Sequence, residues 1–551
     1  MKNQLLTLIM LAIIGLSNLV NAQTPQWVWA KSGTCTWVSN DNDYGTCITT
    51  DASGNVIAAG NMGSGYLSFD SVNVYAPGNI GIFIVKYDPS GNVLWARSSN
   101  GSYDRANSVT TDLNGNIIVT GRYENSITFD TITLTGSNGT NVFIAKYDQA
   151  GNILWAKTST GGAFNLATCV ATDPAGNVIV TGSFGNGPSF SFDTISLGQA
   201  QIHDVFLVKL DPAGNFLWAK KGAGDGIGNS VAADPSGNIM VVGSYKSNTI
   251  TFSPAILTNF GDENFFIMKY GPTGNLLWAN SEGGTETDIA YSVTSDKYGN
   301  FLVAGSFSSA SLSLGTLTIT RSGILPNYDV FFVKYSPTSQ AIWANNAGGS
   351  VKDDRATCIA TDSLGNYFVG GYFNTASFAI GPYTLTNTGT ANLFIAKLDS
   401  GGIYKWAKSE VFTYNSKGFS VDPAGNPVIT GGFGAQITIG NFTLYNGWMD
   451  EPDPYIAKMG YTTGIDENDA LTDLNVYPNP FYLETNLQTK LPLKNATLTL
   501  SNVFGQTVKQ IENITTQNII LNRDNLPCGV YFIQLKEAHK IISAKRIVIS
   551  D

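Results

Sequence analysis

Asp43, Asp104, Asp288 and Asp354 each stand four residues before a recurring serine or cysteine, Asn165 takes that place once, and Asp225 falls one residue out of step. Carboxylates repeated at one register of a repeating chain could gather and bind a cation or a polyhydroxylated ligand. An Asp in a loop also hydrogen-bonds its own backbone, and the spacing leaves both roles open. A second set is cationic. Lys86, Lys146, Lys209, Lys269, Lys334, Lys397 and Lys458 each end an aromatic-x-x-Lys element. A lysine present in every repeat is expected to serve the repeat, its stem along neighbouring sheets and its ammonium on a turn carboxylate or carbonyl. His203 and His539 are the only histidines, both expected at the surface, and no Ser-His-Asp or Cys-His set can be assembled around them. No Walker loop, His-Glu-x-x-His or Cys-x-x-Cys occurs, so no cofactor, metal or catalytic residue is assigned. Paired-carboxylate chemistry of the glycosidase kind needs only Asp and Glu, which are numerous.

A repeat positions these residues. Trp-Ala recurs at Trp29, Trp95, Trp155, Trp218, Trp278, Trp343 and Trp406, and an Asp-x-x-Gly-Asn element begins at Asp51, Asp112, Asp173, Asp234, Asp296, Asp362 and Asp422. With the lysine element, three markers recur seven times in one order. Each unit reads as short β-branched or aromatic runs joined by Asp-Pro or Asp-x-x-Gly turns, in which Asp opens a type I turn and Gly takes the left-handed place. In the second unit, Ser108–Thr111, Asn116–Tyr123, Val142–Tyr147 and Asn152–Lys157 are four antiparallel strands, and the connection 124–141 carries an extra alternation at Ile127, Phe129, Ile132 and Leu134.

The chain opens on a fourth-strand motif at Trp29 and its last marker, Lys458, ends a third strand. The strand Gln26–Lys31 is therefore expected to complete the last unit, hiding an edge that would otherwise stay open. The unit resembles the bacterial β-propeller repeat that reads Asp-x-x-Gly-Asn, Phe-x-x-Lys, Gly-Asn-x-x-Trp-Ala; it departs at Ser336–Gln340, which lacks the second Gly turn, and at Tyr455 in place of Phe. The resemblance implies an all-β fold, a closed seven-bladed β-propeller over residues 23–462. The Asp43 set then falls on loops that share one face near the central channel.

After an acidic linker at 463–470, residues 471–551 resemble a type IX secretion sorting domain through Val476-Tyr477-Pro478-Asn479-Pro480-Phe481, Leu498–Gly505, Leu526-Pro527-Cys528-Gly529-Val530-Tyr531 and Lys545–Ile549. Short strands between Asn, Gly and Pro turns predict a small C-terminal β-sandwich there. The resemblance implies that the type IX machinery is a partner, and that the protein is released or attached at the outer surface of a Gram-negative bacterium.

Lys2, the apolar run Leu5–Leu16 and Val20-Asn21-Ala22 read as a signal peptide cleaved after Ala22, and no later run is long enough for a transmembrane segment. A net charge of −10 opposes nucleic acid as a partner. Cys47, Cys169 and Cys358 alternate with Ser108, Ser230 and Ser292 at one position, which marks a small buried site. A Cys35–Cys47 bridge across a loop stays open, and Cys528 is expected in a core. The functional expectation is a non-enzymatic binding or adhesion propeller showing a rigid face to a surface protein or glycan. The alternatives are a polysaccharide-acting hydrolase or lyase and a structural surface-layer component. Two carboxylates about 5–10 Å apart in a deep channel mouth favour the enzyme; a shallow face bearing Tyr103, Phe164 and Tyr414 favours binding.

Overall fold

The computed structural model describes residues 24–35, 43–200, 202–323, 327–349, 352–411, 418–446, 452–461, 474–489, 492–502, 506–537 and 540–550. The signal peptide, the linker, Tyr414 and His539 lie outside the described residues. The chain divides into two units, Met1–Tyr461 and Thr462–Asp551, and among the described residues every element is a β-strand.

The third repeat shows how sequence becomes sheet. Leu166–Thr172, Val178–Gly185, His203–Leu210 and Phe216–Gly222 form a four-stranded antiparallel meander in chain order. The two middle strands are almost wholly buried because both their faces meet neighbouring sheets, which is why they read as unbroken apolar runs. Between them, Phe190–Phe192 and Ile195–Gly198 make a small ribbon from the extra alternation. In the second repeat the same segment prolongs the middle strands, pairing Ile127 with Leu134 and Phe129 with Ile132. The core therefore lies between sheets: Ile118, Val142 and Ile144 of the second repeat pack with Val178, Val180, Phe206 and Val208 of the third.

The turn at Asp173 shows what fixes these hairpins. Its carboxylate Oδ1 accepts the amide N–H groups of Ala175 and Asn177 at 2.9 Å each, while Gly176 adopts φ +78°. Gly151 has a second reason to be glycine: a Cβ there would lie 2.7 Å from the ring of Trp95, which belongs to the preceding repeat. Where Ser336–Gln340 lacks this glycine the turn still forms, with Ser339 at φ +70°.

The N-terminal strand Gln26–Cys35 pairs antiparallel with Asp453–Gly460, from Gln26 opposite Gly460 to Ser32 opposite Tyr455. It supplies the fourth strand beside Gly418–Val421, Pro427–Phe433 and Asp453–Gly460, as the order of the repeats predicts. Each innermost strand touches that of the next repeat, and Gly418–Val421 in the last repeat touches Tyr44–Thr50 in the first. Thr50 Oγ1 donates to the Val421 carbonyl at 3.0 Å, and Trp29 Nε1 donates to the Pro89 carbonyl at 3.1 Å, the bond that Trp95 and Trp155 make to the following repeats through Gln149 and Pro212.

In the C-terminal unit, Leu474–Tyr477, Glu484–Thr489 and Asn518–Asn522 form one sheet, and Thr507–Ile514, Ala496–Asn502, Gly529–Glu537 and Lys540–Ile549 form another. Leu487, Leu521, Leu498, Leu500, Ile533 and Ile547 from the two sheets share one core. Cys528 is not in that core. It is exposed, because it lies in the turn before Gly529–Glu537, and Arg523 Nη2 donates to its sulfur at 3.0 Å.

Candidate binding face

The seven repeated lysines end on carboxylates. Each Nζ lies 2.8–3.4 Å from Oδ2 of the Asp that opens the turn of its own repeat; six of the seven pairs are buried, and Lys397 is partly exposed. Lys209 also donates to the Pro272 carbonyl of the next repeat at 3.0 Å, the acceptor that Trp218 Nε1 uses at 3.4 Å. Six of these ammonium groups also donate to the next repeat, Lys86 being the exception, so they tie repeats together.

Asp43, Asp288 and Asp354 have found backbone partners. Asp288 accepts from the amides of Gly284, Ser308 and Ser309 and from Ser309 Oγ; Asp354 accepts from Gly349, Asn374 and Thr375; Asp43 Oδ1 accepts the Gly63 amide at 2.5 Å. All are buried, and neither they nor Asp104 line the central cavity described below. They anchor the loops in which they stand. Among the described residues, no group of three or more His, Cys, Asp or Glu is placed to hold a metal ion.

Asp104 is the least well served. Ser99 Oγ donates to Oδ2 at 2.9 Å, whereas buried Oδ1 has no partner, and burial pushes its carboxyl up to about 7 from an ordinary 3.8, against the Ser99 bond. The folded chain thus keeps a proton that the unfolded chain releases near pH ~4. The stability linked to this group is full below that pH and declines as pH rises towards 7. Asp104→Asn removes the charge, and Asn165 shows how an amide sits at this register, its Nδ2 donating to the Gly161 carbonyl at 2.7 Å. The variant should be more stable than wild type by about 1–3 kcal/mol above neutral pH and match it near pH ~4. Urea unfolding at the two pH values checks this; a difference independent of pH refutes the buried-acid assignment.

The innermost strands enclose a cavity of 710 Å³, to which every repeat contributes. Its wall is built of Tyr44, Thr46, Asn107, Thr168, Asn229, Tyr291, Thr357, Phe419 and two arginines, Arg105 and Arg355, with no Asp or Glu among the described residues. Thr46, Asn107, Thr168 and Asn229 donate across to the carbonyls of Ala106, Ala167, Gly228 and Ala290 on the next inner strand, so this wall also joins the repeats. Arg105 Nη1 donates to Tyr44 Oη at 3.1 Å and Arg355 Nη1 to Tyr291 Oη at 2.8 Å. Cys47, Cys169 and Cys358 stand in the same wall. Cys47 is a buried thiol near the Ala59 carbonyl at 3.7 Å, with burial pushing its pKa up to about 12, and is not half of a bridge to Cys35.

A second cavity, of 530 Å³, opens between the second, third and fourth repeats. Phe164, 65% exposed, and Ile202, Leu166 and Ile227 give it apolar surface; Arg122, Asn165, His203, Asp225, Lys246 and Glu263 give it polar groups. His203 Nδ1 lies 3.4 Å from Asp225 Oδ1, and Ser244 Oγ donates to Glu263 Oε1 at 2.6 Å. Asn165 is wholly buried with Oδ1 unpartnered. Of the residues singled out by sequence, this cavity brings together Phe164, Asn165, His203 and Asp225. Tyr103 is 49% exposed at φ +58° and does not line it. The arginines were missed. The signal was there: only seven arginines occur, and Arg105 and Arg355 stand directly after Asp104 and Asp354, where other repeats have Tyr44, Leu166 or Ile289.

Residues 475–550 match the secretion system C-terminal sorting domain family. The protein is exported by the type IX system and is secreted or attached at the outer surface of a Gram-negative bacterium, which makes that machinery a partner of this domain. The repeats are similar to an uncharacterized WD repeat-containing protein of Acanthamoeba polyphaga mimivirus, 26% identical over 66% of this chain and 33% of that protein; the chain thus spans a third of the relative's length. Among solved structures, a protein of unknown function from Bacteroides caccae is 13% identical, with 60% of this chain and 90% of that one covered at a TM-score of 0.30. Quinohemoprotein alcohol dehydrogenase from Comamonas testosteroni is 11% identical, with 84% and 80% covered at 0.38. Likeness this low assigns no activity. Among the described residues, no helix is long and apolar enough to cross a membrane.

Proposed function

We propose that residues 23–462 close into a seven-bladed β-propeller that acts, outside the cell, as a non-enzymatic binding module for a glycan or surface protein. Closure is supported by the N-terminal strand in the last sheet and by the Thr50–Val421 and Trp29–Pro89 bonds between last and first repeats. The shared core of the two C-terminal sheets supports a β-sandwich for the sorting domain. The observation that carries the binding reading is Phe164, a large ring left 65% exposed at the rim of a 530 Å³ cavity that also offers hydrogen-bond donors and acceptors. An apolar platform beside a few convergent polar groups suits a sugar ring, and the volume falls within the ~300–1,000 Å³ of ligand sites.

Phe164→Ala removes the platform and little packing, so the variant should melt like wild type while losing affinity by about tenfold or more for whichever ligand a glycan array identifies. Unchanged array binding by the variant would refute the cavity as the site. A second reading, a polysaccharide hydrolase or lyase, is favoured by His203, Asp225 and Glu263 lining one cavity. Polysaccharide turnover that is lost in His203→Gln while binding persists would establish it.

A further inference from the structure

Arg105 and Arg122 stand directly opposite each other on the paired strands Val93–Thr111 and Ile117–Phe129. Directly opposed like charges disfavour a sheet. Both residues are half-buried, and among the described residues neither forms an ion pair with a carboxylate; the partner of Arg105 is the Tyr44 hydroxyl. Arg105 lines the central cavity and Arg122 the cavity beside Phe164, so the pair links the two linings across one strand pairing. Burial and then the Arg105 charge loosen the Arg122 proton, with Glu124 and Tyr44 opposing. The acids of the Phe164 cavity are already engaged, Asp225 with His203 and Glu263 with Ser244 and Lys246. A chain of net charge −10 thus keeps two adjacent guanidinium groups with no carboxylate in ion-pair contact among the described residues, Glu124 acting only from a distance.

Planar guanidinium forks match oxyanions, which they bind through two parallel N–H bonds. We propose that the Arg105–Arg122 pair receives the carboxylate or sulfate ester of an acidic sugar whose ring lies towards Phe164. The sugar rests on the glycan reading above; the oxyanion site does not. A free anion shares the chemistry, and the test separates the two.

Titration calorimetry of the full chain compares two oligosaccharides alike in length and linkage, one containing uronic acid and one neutral. Thermal melts compare sulfate with chloride at equal ionic strength. Wild type should bind the acidic oligosaccharide about tenfold tighter than the neutral one. Arg105→Gln, outside the lining of the Phe164 cavity, should abolish that preference and leave neutral affinity unchanged, and Arg122→Gln should abolish the preference as well. In chloride both variants should melt no lower than wild type, since a repulsion is relieved, which separates the site from a merely structural role. Sulfate should raise the melting temperature of wild type and not of the variants. Equal affinity for both sugars, or a preference that survives in both variants, overturns the inference and leaves the glycan reading standing. An arginine-dependent sulfate effect with no sugar bound upholds the oxyanion site and overturns the sugar. No sulfate effect and no sugar binding overturns both.

Discussion

Removal of residues 24–31 is expected to lower the melting temperature of the chain by roughly 10 °C or more and to make it aggregate. The segment forms most of the ladder to Asp453–Gly460, and Trp27 and Trp29 are 8% and 6% exposed within it. Losing a packed large aromatic side chain costs about 3–5 kcal/mol, and two such losses rival the ~5–15 kcal/mol that holds a typical domain together. Two polar groups also lose their donors. Trp27 Nε1 donates to Glu410 Oε1 at 2.7 Å, and burial already pushes that carboxyl up, against the Trp27 bond; Trp29 Nε1 serves Pro89. The strand Asp453–Gly460 would become an unpaired apolar edge, a template for joining another chain. Scanning calorimetry with light scattering measures both effects, and an added peptide spanning Gln26–Ser32 should restore part of the loss by strand addition. A deletion that melts within a degree or two of wild type would show that this strand contributes nothing to closure.

The same pairing shows what the sequence makes legible. An array that opens on a spare fourth strand at Trp29 and stops at a third strand ending in Lys458 has one strand too many at its start and one too few at its end. This offset follows from the order of markers alone. The Asp–Lys ties were legible in outline, since a charge present in every repeat must be satisfied within the repeat. The residues proposed above for binding were not, for a physical reason. Repetition marks what every sheet needs for folding, such as the backbone-capping carboxylates Asp288 and Asp354. The residues proposed for recognition instead break the repeat: Arg105, Arg122 and Phe164 each occur at their register once or twice. Which exceptions share a cavity depends on ribbon lengths and loop paths between neighbouring sheets. Spacing does not encode that, so His203 reads as a lone surface residue until Asp225 is placed 3.4 Å from it.

Breaking one buried ion pair should have a large effect and mending it a small one. Asp173 and Lys209 meet at 2.8 Å with their side chains almost fully enclosed. Asp173→Asn leaves the Lys209 ammonium with the Pro272 carbonyl alone, and an uncompensated buried charge costs about 3–5 kcal/mol. Lys209→Met should cost less, because Asp173 keeps the amides of Ala175 and Asn177 and the Asn177 side chain. The double variant should regain much of the loss, since apolar groups of similar volume often replace a buried pair without penalty. Unfolding of the two single variants and the double closes the cycle, and a coupling of about 1–3 kcal/mol is expected for groups in contact. The acid limb supplies an independent sign. Burial raises the Asp173 carboxyl, but the Asn177 and Lys209 bonds outweigh it and hold the net pKa below the ordinary 3.8. A carboxyl depressed in the folded state adds stability that is complete above the unfolded pKa of ~3.9 and is lost as pH falls through the lower folded value. Wild type should therefore lose this increment only in acid, Lys209→Met should lose less there because less remains, and Asp173→Asn should show none of it. Additive single-variant losses with parallel acid limbs would mean that the pair is solvated, and the lysine ring would again need a ligand to explain it.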